Sequence, residues 1–183
     1  PDCGSVLRGE LPSADNPPGA VEDPATCQPE RAIDEDGVVL EIDEDTGVTD
    51  LLMDPRNPDV LYAASYQRRR HVWTLINGGP GSGVYKSLDG GVSWKKANKG
   101  LPGGDRGRIG LAMARNDPRV VYALVEAEES ALLRSDDGGW TWRTVNAQEG
   151  VASRPFYYAD IFVDPQNELR VFNLHSRVML SED

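Results

Sequence analysis

The sequence predicts an all-β chain built from repeated antiparallel sheets, and three observations support this prediction. Short apolar runs are separated by Gly, Pro, Asp and Asn, which is typical of strands joined by tight turns. None of the runs keeps the three-to-four-residue apolar period that a helix needs over a dozen positions. The other two observations are an Asp-Pro turn and a Ser-x-Asp-x-Gly turn, which recur along the chain in the same order.

Residues 1–45 differ in composition from the remainder of the chain. Pro, Gly, Asp and Glu dominate there, and low hydrophobicity with high charge favours an irregular arm over a packed core. One apolar run, Val38–Ile42, lies between two acidic stretches and is predicted to form a strand. We therefore expect an irregular N-terminal arm over 1–45 and a repeat region over 46–183.

In the repeat region, apolar runs bounded by turn residues predict the strands. They are Val48–Met53, Val60–Ala64, Gly83–Lys86, Ile109–Met113 and Val120–Val125. An Asp-Pro turn precedes the second strand of each repeat, at Asp54, Asp117 and Asp164. Such a turn is tight because proline presets φ and the aspartate side chain accepts a hydrogen bond from the nearby backbone.

The Ser-x-Asp-x-Gly turn is the second repeated element. Its first copy, the first box, spans Ser87–Trp94, and the second box spans Ser135–Trp142, 48 residues later. After another 46 residues the chain reads Ser181-Glu182-Asp183, which is the opening of a third box. The aspartate can accept bonds from turn N–H groups, and the glycines supply positive φ. The residues predicted to build these turns are Ser87, Asp89, Gly91, Trp94, Ser135, Asp137, Gly139, Trp142, Ser181 and Asp183.

Both turns together give four strands in roughly 48 residues, which is the size of one propeller blade. We predict a partial β-propeller of about two to three four-stranded blades, truncated within the third box. A catalytic role for Asp89 and Asp137 is not expected. These aspartates recur once in every blade, whereas an active site needs a single group of catalytic residues. Calcium binding is a minor alternative that lacks further oxygen ligands, so neither metal nor cofactor is expected.

The boxes and Asp-Pro turns resemble the Asp-box, or BNR, repeat of sialidases, xyloglucanases and sortilin-type receptor domains. The chain looks most like exported bacterial proteins with sortilin-like propellers, and the resemblance covers Gly47–Asp183. It implies a propeller fold with the boxes on the outer rim, away from the central ligand face. It also implies an extracellular or periplasmic location, although this chain carries no signal peptide.

A glycoside hydrolase is one functional reading that the resemblance suggests. The Phe-Arg-Ile-Pro motif of sialidases does not occur in this sequence. Inverting enzymes use two carboxylates spaced to admit a water molecule. Asp50 and Asp160 occupy equivalent strand positions and are the candidates for such a pair, but each could equally be a solvated channel residue.

A binding scaffold for protein or carbohydrate is the reading we favour, and it depends on an insertion in the first blade. From Tyr62 to Ser87 the chain takes 25 residues, whereas Tyr122 to Ser135 takes 13. Arginine and tryptophan are enriched in binding hot spots, and long loops in compact repeats are often functional. The alternative is a solvated loop whose arginines neutralise nearby acids. The candidate binding residues are Arg68, Arg69, Arg70, His71 and Trp73.

Charge and cysteine content limit the partners. A net charge of −11 argues against nucleic acid and anionic membranes, because both select a basic surface. No apolar run is long enough to insert into a membrane. Cys3 and Cys27 could form one disulfide or remain free thiols. Exposed blade faces and edges predict self-association unless the N-terminal arm covers them.

Overall fold

A computed structural model describes residues 39–152, 155, 157 and 159–182. The described residues confirm the all-β prediction, with twelve strands and no helix. The strands are β1 (Thr46–Asp54), β2 (Asn57–Arg70), β3 (Leu75–Asn77), β4 (Gly83–Ser87), β5 (Lys95–Lys96), β6 (Ile109–Met113), β7 (Val121–Val125), β8 (Ala131–Ser135), β9 (Arg143–Asn146), β10 (Asp160–Asp164), β11 (Asn167–Leu174) and β12 (Val178–Ser181). Nothing helical in the described part is long and apolar enough to cross a membrane.

These strands form three antiparallel sheets, which are the blades of a partial β-propeller. Blade 1 has the order β1-β2-β4-β5, with β3 paired to the far end of β2. Blade 2 has the order β6-β7-β8-β9, and blade 3 has the order β10-β11-β12. The pairings Leu51–Ala63, Leu111–Ala123 and Ile161–Asn173 occupy the same register position in successive blades.

The Asp-Pro turns connect the first two strands of each blade. In blade 1 the Arg56 N–H donates to Oδ1 of Asp54 at 2.8 Å. In blade 3 the Gln166 N–H donates to Oδ1 of Asp164, also at 2.8 Å. A side chain that accepts from the backbone two residues onward stabilises a tight turn, as the sequence predicts.

Two apolar layers hold the three blades together. The layer between blades 1 and 2 includes Tyr62, Val84, Leu111, Leu133 and Trp142. The layer between blades 2 and 3 includes Tyr122, Leu132, Ile161 and Val171. Blade 2 is therefore covered on both faces, and full burial of such side chains contributes roughly 1.5–3 kcal/mol each.

The strand predicted at Val38–Ile42 is wrong over its described part, because residues 39–43 form no strand. The first ladder pair joins Thr46 to Gln67, and residues 39–43 have no ladder partner among the described strands. Apolar residues alone do not make a strand without such a partner. The predictions for residues 1–38, including Cys3 and Cys27, and for Asp183 lie outside the described residues.

Candidate functional site

The antiparallel order places the connections between strands at two opposite ends of the blades. The box end holds the two boxes and the Asp-Pro turns. The loop end holds the connections that follow β2, β5, β7 and β9. At the loop end, Asn77 Nδ2 donates to Oε1 of Glu126 at 3.0 Å, which joins blades 1 and 2. The candidate binding residues and the boxes thus lie at opposite ends of the blades.

The first box closes on itself through hydrogen bonds. The hydroxyl of Ser87 donates to Oδ1 of Asp89 at 2.7 Å and accepts from the Gly91 N–H at 2.8 Å. Asp89 also accepts from the backbone N–H of Ser93 at 2.9 Å and from its hydroxyl at 2.5 Å. Gly90 and Gly91 have φ of 71° and 96°, which side-chain-bearing residues rarely adopt.

The second box repeats this arrangement. Ser135 Oγ donates to Oδ1 of Asp137 at 2.8 Å and accepts from the Gly139 N–H at 2.8 Å. Asp137 accepts from the N–H of Thr141 at 2.9 Å and from its hydroxyl at 2.6 Å. The N–H of Trp140 adds a third backbone donor at 3.0 Å. Both carboxylates are therefore engaged within their own turns.

The pKa values of the two box aspartates agree with this geometry. Partial burial acts to raise the pKa of Asp137, but hydrogen bonds from Thr141, Ser135 and Trp140 outweigh it and lower the pKa to about 2. Burial is likewise outweighed at Asp89, whose pKa is lowered by hydrogen bonds from Ser87 and Ser93. Carboxylates held ionised by turn donors are poor general acids.

The box tryptophans occupy different surroundings. The Trp142 side chain is buried between blades 1 and 2, and its Nε1 donates to the Ala97 carbonyl at 2.7 Å. Trp94 is only partly buried, and its Nε1 donates within its own box to the Gly91 carbonyl at 2.9 Å. No described blade lies on the outer face of blade 1. Trp94 therefore does not fill a gap between described sheets as Trp142 does.

A buried lysine directly before the first box connects the boxes of neighbouring blades. Lys86 is 6% exposed, and its Nζ donates to the Gly138 carbonyl at 2.6 Å. The ammonium lies 5.0 Å from the ring centroid of Tyr62 and 4.8 Å from that of Trp140. Burial lowers the pKa of Lys86, and Asp137 and Asp54 act in the opposite direction. These contacts fasten blade 1 to blade 2 at the box end.

The insertion in blade 1 is a projecting hairpin at the loop end. β2 is 14 residues long, and its last three residues pair with β3. Much of the insertion that the sequence predicts as a loop is therefore strand. At its tip, the rings of His71 and Trp73 stack with centroids 5.5 Å apart and planes 8° from parallel. Trp73 is 82% exposed and Val72 is fully exposed.

The three arginines of the hairpin have different roles. Arg69 forms an ion pair with Asp45 and donates to the Glu44 carbonyl at 3.1 Å, which ties the hairpin to the segment before β1. Arg68 and Arg70 point to the other face of β2, because strand side chains alternate, and both are exposed. The structure thus brings His71 and Trp73 together and places Arg70 at the end of β2 directly before them, while Arg69 is engaged with acidic residues as the solvated-loop alternative expects.

Asp50 and Asp160 lie on the innermost strands of blades 1 and 3, at equivalent register positions. Arg108, which precedes β6 in blade 2, has its guanidinium 3.5 Å from Oδ1 of Asp160 and donates to the Tyr157 carbonyl at 2.9 Å. Asp50 accepts from the Leu111 N–H at 2.8 Å. Burial raises the pKa of Asp50, Leu111 and Arg108 lower it, and Asp160 raises it further.

Arg108 was not identified from the sequence. Arg108 precedes β6 and Tyr157 precedes β10, so each is a connection residue in a different blade. Their proximity arises because Gly110, in the register position of Asp50 and Asp160, lets blade 3 approach closely: a Cβ there would overlap the Ala159 carbonyl oxygen. A glycine within a strand was the one available signal.

No family model matches the sequence, and no curated protein matches it. Several solved structures share the fold. YCF48 bound to D1 peptide has a TM-score of 0.54 at 13% identity, over 79% of this chain and 40% of that one. The GH74 enzyme of Niastella koreensis gives 0.52 at 16% identity, over 78% of this chain and 22% of that one. The GH74 xyloglucanase of Xanthomonas campestris gives 0.50 at 15% identity, over 70% and 19%.

The chain therefore spans less than half the length of the structures that it resembles. At such identities the similarity concerns the fold alone. It agrees with the three sheets, the repeated register and the two buried layers between blades. The chain is an all-β, partial β-propeller.

Proposed function

We propose that this chain is the non-catalytic part of an exported, Asp-box-class propeller that binds a protein or carbohydrate ligand at its loop end. The exposure of Trp73, at 82%, on a hairpin that projects beyond the blade is the observation that carries the proposal. A large aromatic surface held in water is unfavourable by itself, so its presence favours a partner that covers it.

The tip of the hairpin is ordered before a ligand binds, so Trp73 should lose little conformational freedom on binding. The stacked ring of His71 and the pairing of Arg70 with Leu75 restrict the tip before any ligand arrives. Such preorganisation lowers the entropy cost of binding. Arg70 ends β2 one residue before His71 and supplies charged donors at the same hairpin, and arginine and tryptophan are both enriched in hot spots.

The ligand chemistry follows from charge. In a chain of net charge −11, the Arg68–Arg70 stretch is locally basic, which favours a ligand that carries carboxylate or sulfate groups beside an aromatic or sugar ring. That YCF48 was solved with a bound peptide supports a peptide ligand, although the two chains share only the fold. Charged saccharides fit the same side chains.

Arrays of acidic peptides and of neutral and acidic oligosaccharides test this proposal. We expect the chain to bind acidic members, and Arg70→Ser with Trp73→Ser to lose that binding. A matched control changes an exposed arginine and an exposed apolar residue at the box end, Arg115→Ser with Leu88→Ser, and retains binding. Equal loss in both double variants would contradict a loop-end site.

A glycoside hydrolase is the second candidate, and one observation favours it: Asp50 and Asp160 interact across Arg108. A carboxyl with a raised pKa near a second carboxyl is the pattern of an acid and base pair. The arginine that pairs with Asp160 and the backbone bond at Asp50 are instead typical of structural carboxylates. We therefore rank this function second.

Incubation with xyloglucan, followed by measurement of new reducing ends, separates the two functions. The binding proposal predicts no release above buffer by the wild-type chain. Release that Asp160→Asn abolishes, with unchanged thermal unfolding, would replace the binding proposal with the hydrolase.

A further inference from the structure

The hairpin of blade 1 meets blade 2 at its base, away from the tip that carries Trp73. The N–H of Gly79, two residues after β3, donates to the Arg106 carbonyl at 3.0 Å, and these two residues form an isolated antiparallel bridge. A Cβ on Gly78 would lie 2.9 Å from the same carbonyl oxygen, so the two segments are in close contact. The base of the hairpin is therefore held by the segment that leads into β6.

Glu126, directly after β7, secures this contact from blade 2. Its Oε1 accepts from Nδ2 of Asn77 in β3 at 3.0 Å, and its Oε2 accepts from the Arg108 N–H at 2.9 Å. Its backbone N–H donates to the Arg108 carbonyl at 3.0 Å, and its carbonyl accepts from the Gly107 N–H at 2.9 Å. A Cβ on Gly107 would overlap Oε2, so the carboxylate lies directly against this backbone. Both carboxylate oxygens and both backbone groups of Glu126 are thus engaged.

The two side-chain partners of Glu126 are themselves held in place. Oδ1 of Asn77 accepts from the hydroxyl of Tyr66 in β2, a residue that is 4% exposed. The guanidinium of Arg108 lies 3.5 Å from Oδ1 of Asp160 in blade 3. A polar network whose members all have partners makes the structure around it rigid. Glu126 therefore connects a buried residue of the hairpin strand to a cation that contacts the third blade.

We propose that Glu126 is a positioning residue of the loop-end binding site. It acts on the hairpin through Asn77, by holding the base against blade 2, and the hairpin in turn carries Trp73 at its tip. A site that is held in place before the ligand arrives binds at a lower entropy cost. This inference rests on the proposed function, because it concerns the same hairpin.

Charge and position predict opposite effects at Glu126. The probe is a fluorescein-labelled peptide of alternating Glu and Tyr, and its binding to the full chain is followed by fluorescence anisotropy. By charge alone, removal of a nearby carboxylate would strengthen the binding of an acidic peptide. We expect Glu126→Ala instead to weaken it about tenfold or more, because the hairpin loses its anchor. Glu128→Ala removes an exposed carboxylate from the same connection and should bind as the wild type does or slightly more tightly.

An exchange of the two interacting groups tests the contact itself. Asn77→Asp places two carboxylates against each other and should weaken the probe peptide about tenfold or more. Asn77→Asp combined with Glu126→Gln should restore binding. The glutamine amide then donates to the new carboxylate, which still accepts from the Tyr66 hydroxyl, while the amide oxygen accepts from the Arg108 N–H. The double variant has the net charge of the wild type, so restored binding would report the geometry of the contact.

Hydrogen exchange reads the position of the hairpin without any ligand. The Gly79 N–H bonds to the Arg106 carbonyl and not to Glu126, so its exchange reports whether the base stays on blade 2. We expect exchange about tenfold or more faster in Glu126→Ala and in Asn77→Asp, and close to wild type in the double variant. The N–H of Leu133, in the centre of blade 2, should change less, and circular dichroism establishes that all variants fold.

Unchanged exchange at Gly79 in Glu126→Ala, or a double variant that does not restore it, would overturn the proposal whether or not the peptide binds. Tighter peptide binding by Glu126→Ala, or equal weakening by Glu128→Ala, would overturn it too, since charge alone would then explain the effect. If the wild-type chain does not bind the peptide but exchange at Gly79 follows the expected pattern, Glu126 positions the hairpin and the proposed acidic ligand is wrong.

Discussion

Leu51 and Leu111 occupy the same register position in neighbouring blades, yet Leu51 is 59% exposed and Leu111 is 3% exposed. Each pairs with an alanine of the second strand, Ala63 or Ala123. The difference arises because blade 1 covers Leu111, whereas no described blade covers Leu51. Because the two leucines have the same local strand structure, the difference in their burial comes from the interface between blades and not from the strand.

Replacing each of these two leucines measures how much the interface between blades contributes to the free energy of unfolding. Leu111→Ala is expected to lower the free energy of unfolding by about 2–5 kcal/mol, because it removes buried methyl groups and leaves a cavity. Leu51→Ala should change it by less than about 1 kcal/mol. Urea unfolding followed by tryptophan fluorescence compares them. Equal losses would mean that another part of the chain covers Leu51.

Gly110 is expected to be intolerant of any side chain. Gly110→Ala places a Cβ against the Ala159 carbonyl, so blades 2 and 3 would be forced apart at a cost of about 1–3 kcal/mol or more. Gly103→Ala is the control, since its Cβ would have no described atom within 4 Å, and it should be neutral or slightly stabilising. Calorimetric melting of the two variants distinguishes the outcomes, and two similar melts would refute the close approach.

Asp137, the aspartate of the second box, should contribute far more to the free energy of unfolding than the neighbouring Asp136. Asp137→Ala removes the acceptor of two backbone and two hydroxyl donors and should lower the free energy of unfolding by about 1–3 kcal/mol. Asp136→Ala breaks ion pairs with Arg134 and Arg143 in which the Asp136 side chain is half exposed, and Arg134 keeps its hydrogen bond to Tyr122, so we expect a loss of less than about 1 kcal/mol. Comparable losses at the two positions would show that the turn does not depend on Asp137.

Acid should remove the contribution of Asp137. Its folded-state pKa is about 2, below the unfolded value, so the stabilisation is full above the unfolded pKa of about 4 and is lost as the pH falls towards 2. The difference in stability between wild type and Asp137→Asn should therefore shrink over this range. A difference that stays constant from neutral pH to pH about 2 would contradict the lowered pKa.

The loss of folding stability at high pH should depend on ionisation of Tyr62. Burial, with smaller contributions from Asp54 and Asp137, raises the pKa of Tyr62 to about 12. Because the folded pKa exceeds the unfolded value of about 10, stability is full below pH 10 and decreases as the pH rises towards 12. Tyr62→Phe should be less stable at neutral pH, because it loses the bond to the Gly138 carbonyl, and less sensitive to alkali. A near-ultraviolet absorbance difference showing ionisation of Tyr62 near pH 10 would refute its burial.

Local turn chemistry made the blades predictable. The boxes needed an acceptor at Asp89 or Asp137 and glycines at positive φ, and these requirements are visible in the residues themselves. The incorrect strand at Val38–Ile42 shows the limit of such patterns, because an apolar run does not reveal whether a partner strand is present. The length of β2 was also missed, since the polar Arg68–Arg70 stretch gives no strand signal.

The candidate sites were only partly visible in the sequence. Trp73 and Arg70 could be identified because they lie in one insertion. Arg108 could not, because its position beside Asp160 depends on the approach of blade 3 over Gly110. Lys86 was hidden for a similar reason: its burial depends on Tyr62 in its own blade and on the box of the next.

Site-specific cross-linking tests the central claim most directly. A photoreactive residue is placed at Val72, which is fully exposed at the hairpin tip, or at Leu88, which is 55% exposed at the box end. Each chain is irradiated with the acidic peptide or oligosaccharide that it binds most tightly on the arrays. We predict cross-links from position 72 and none above background from position 88. Cross-links from position 88 alone, or equally from both, would contradict a ligand site at the hairpin.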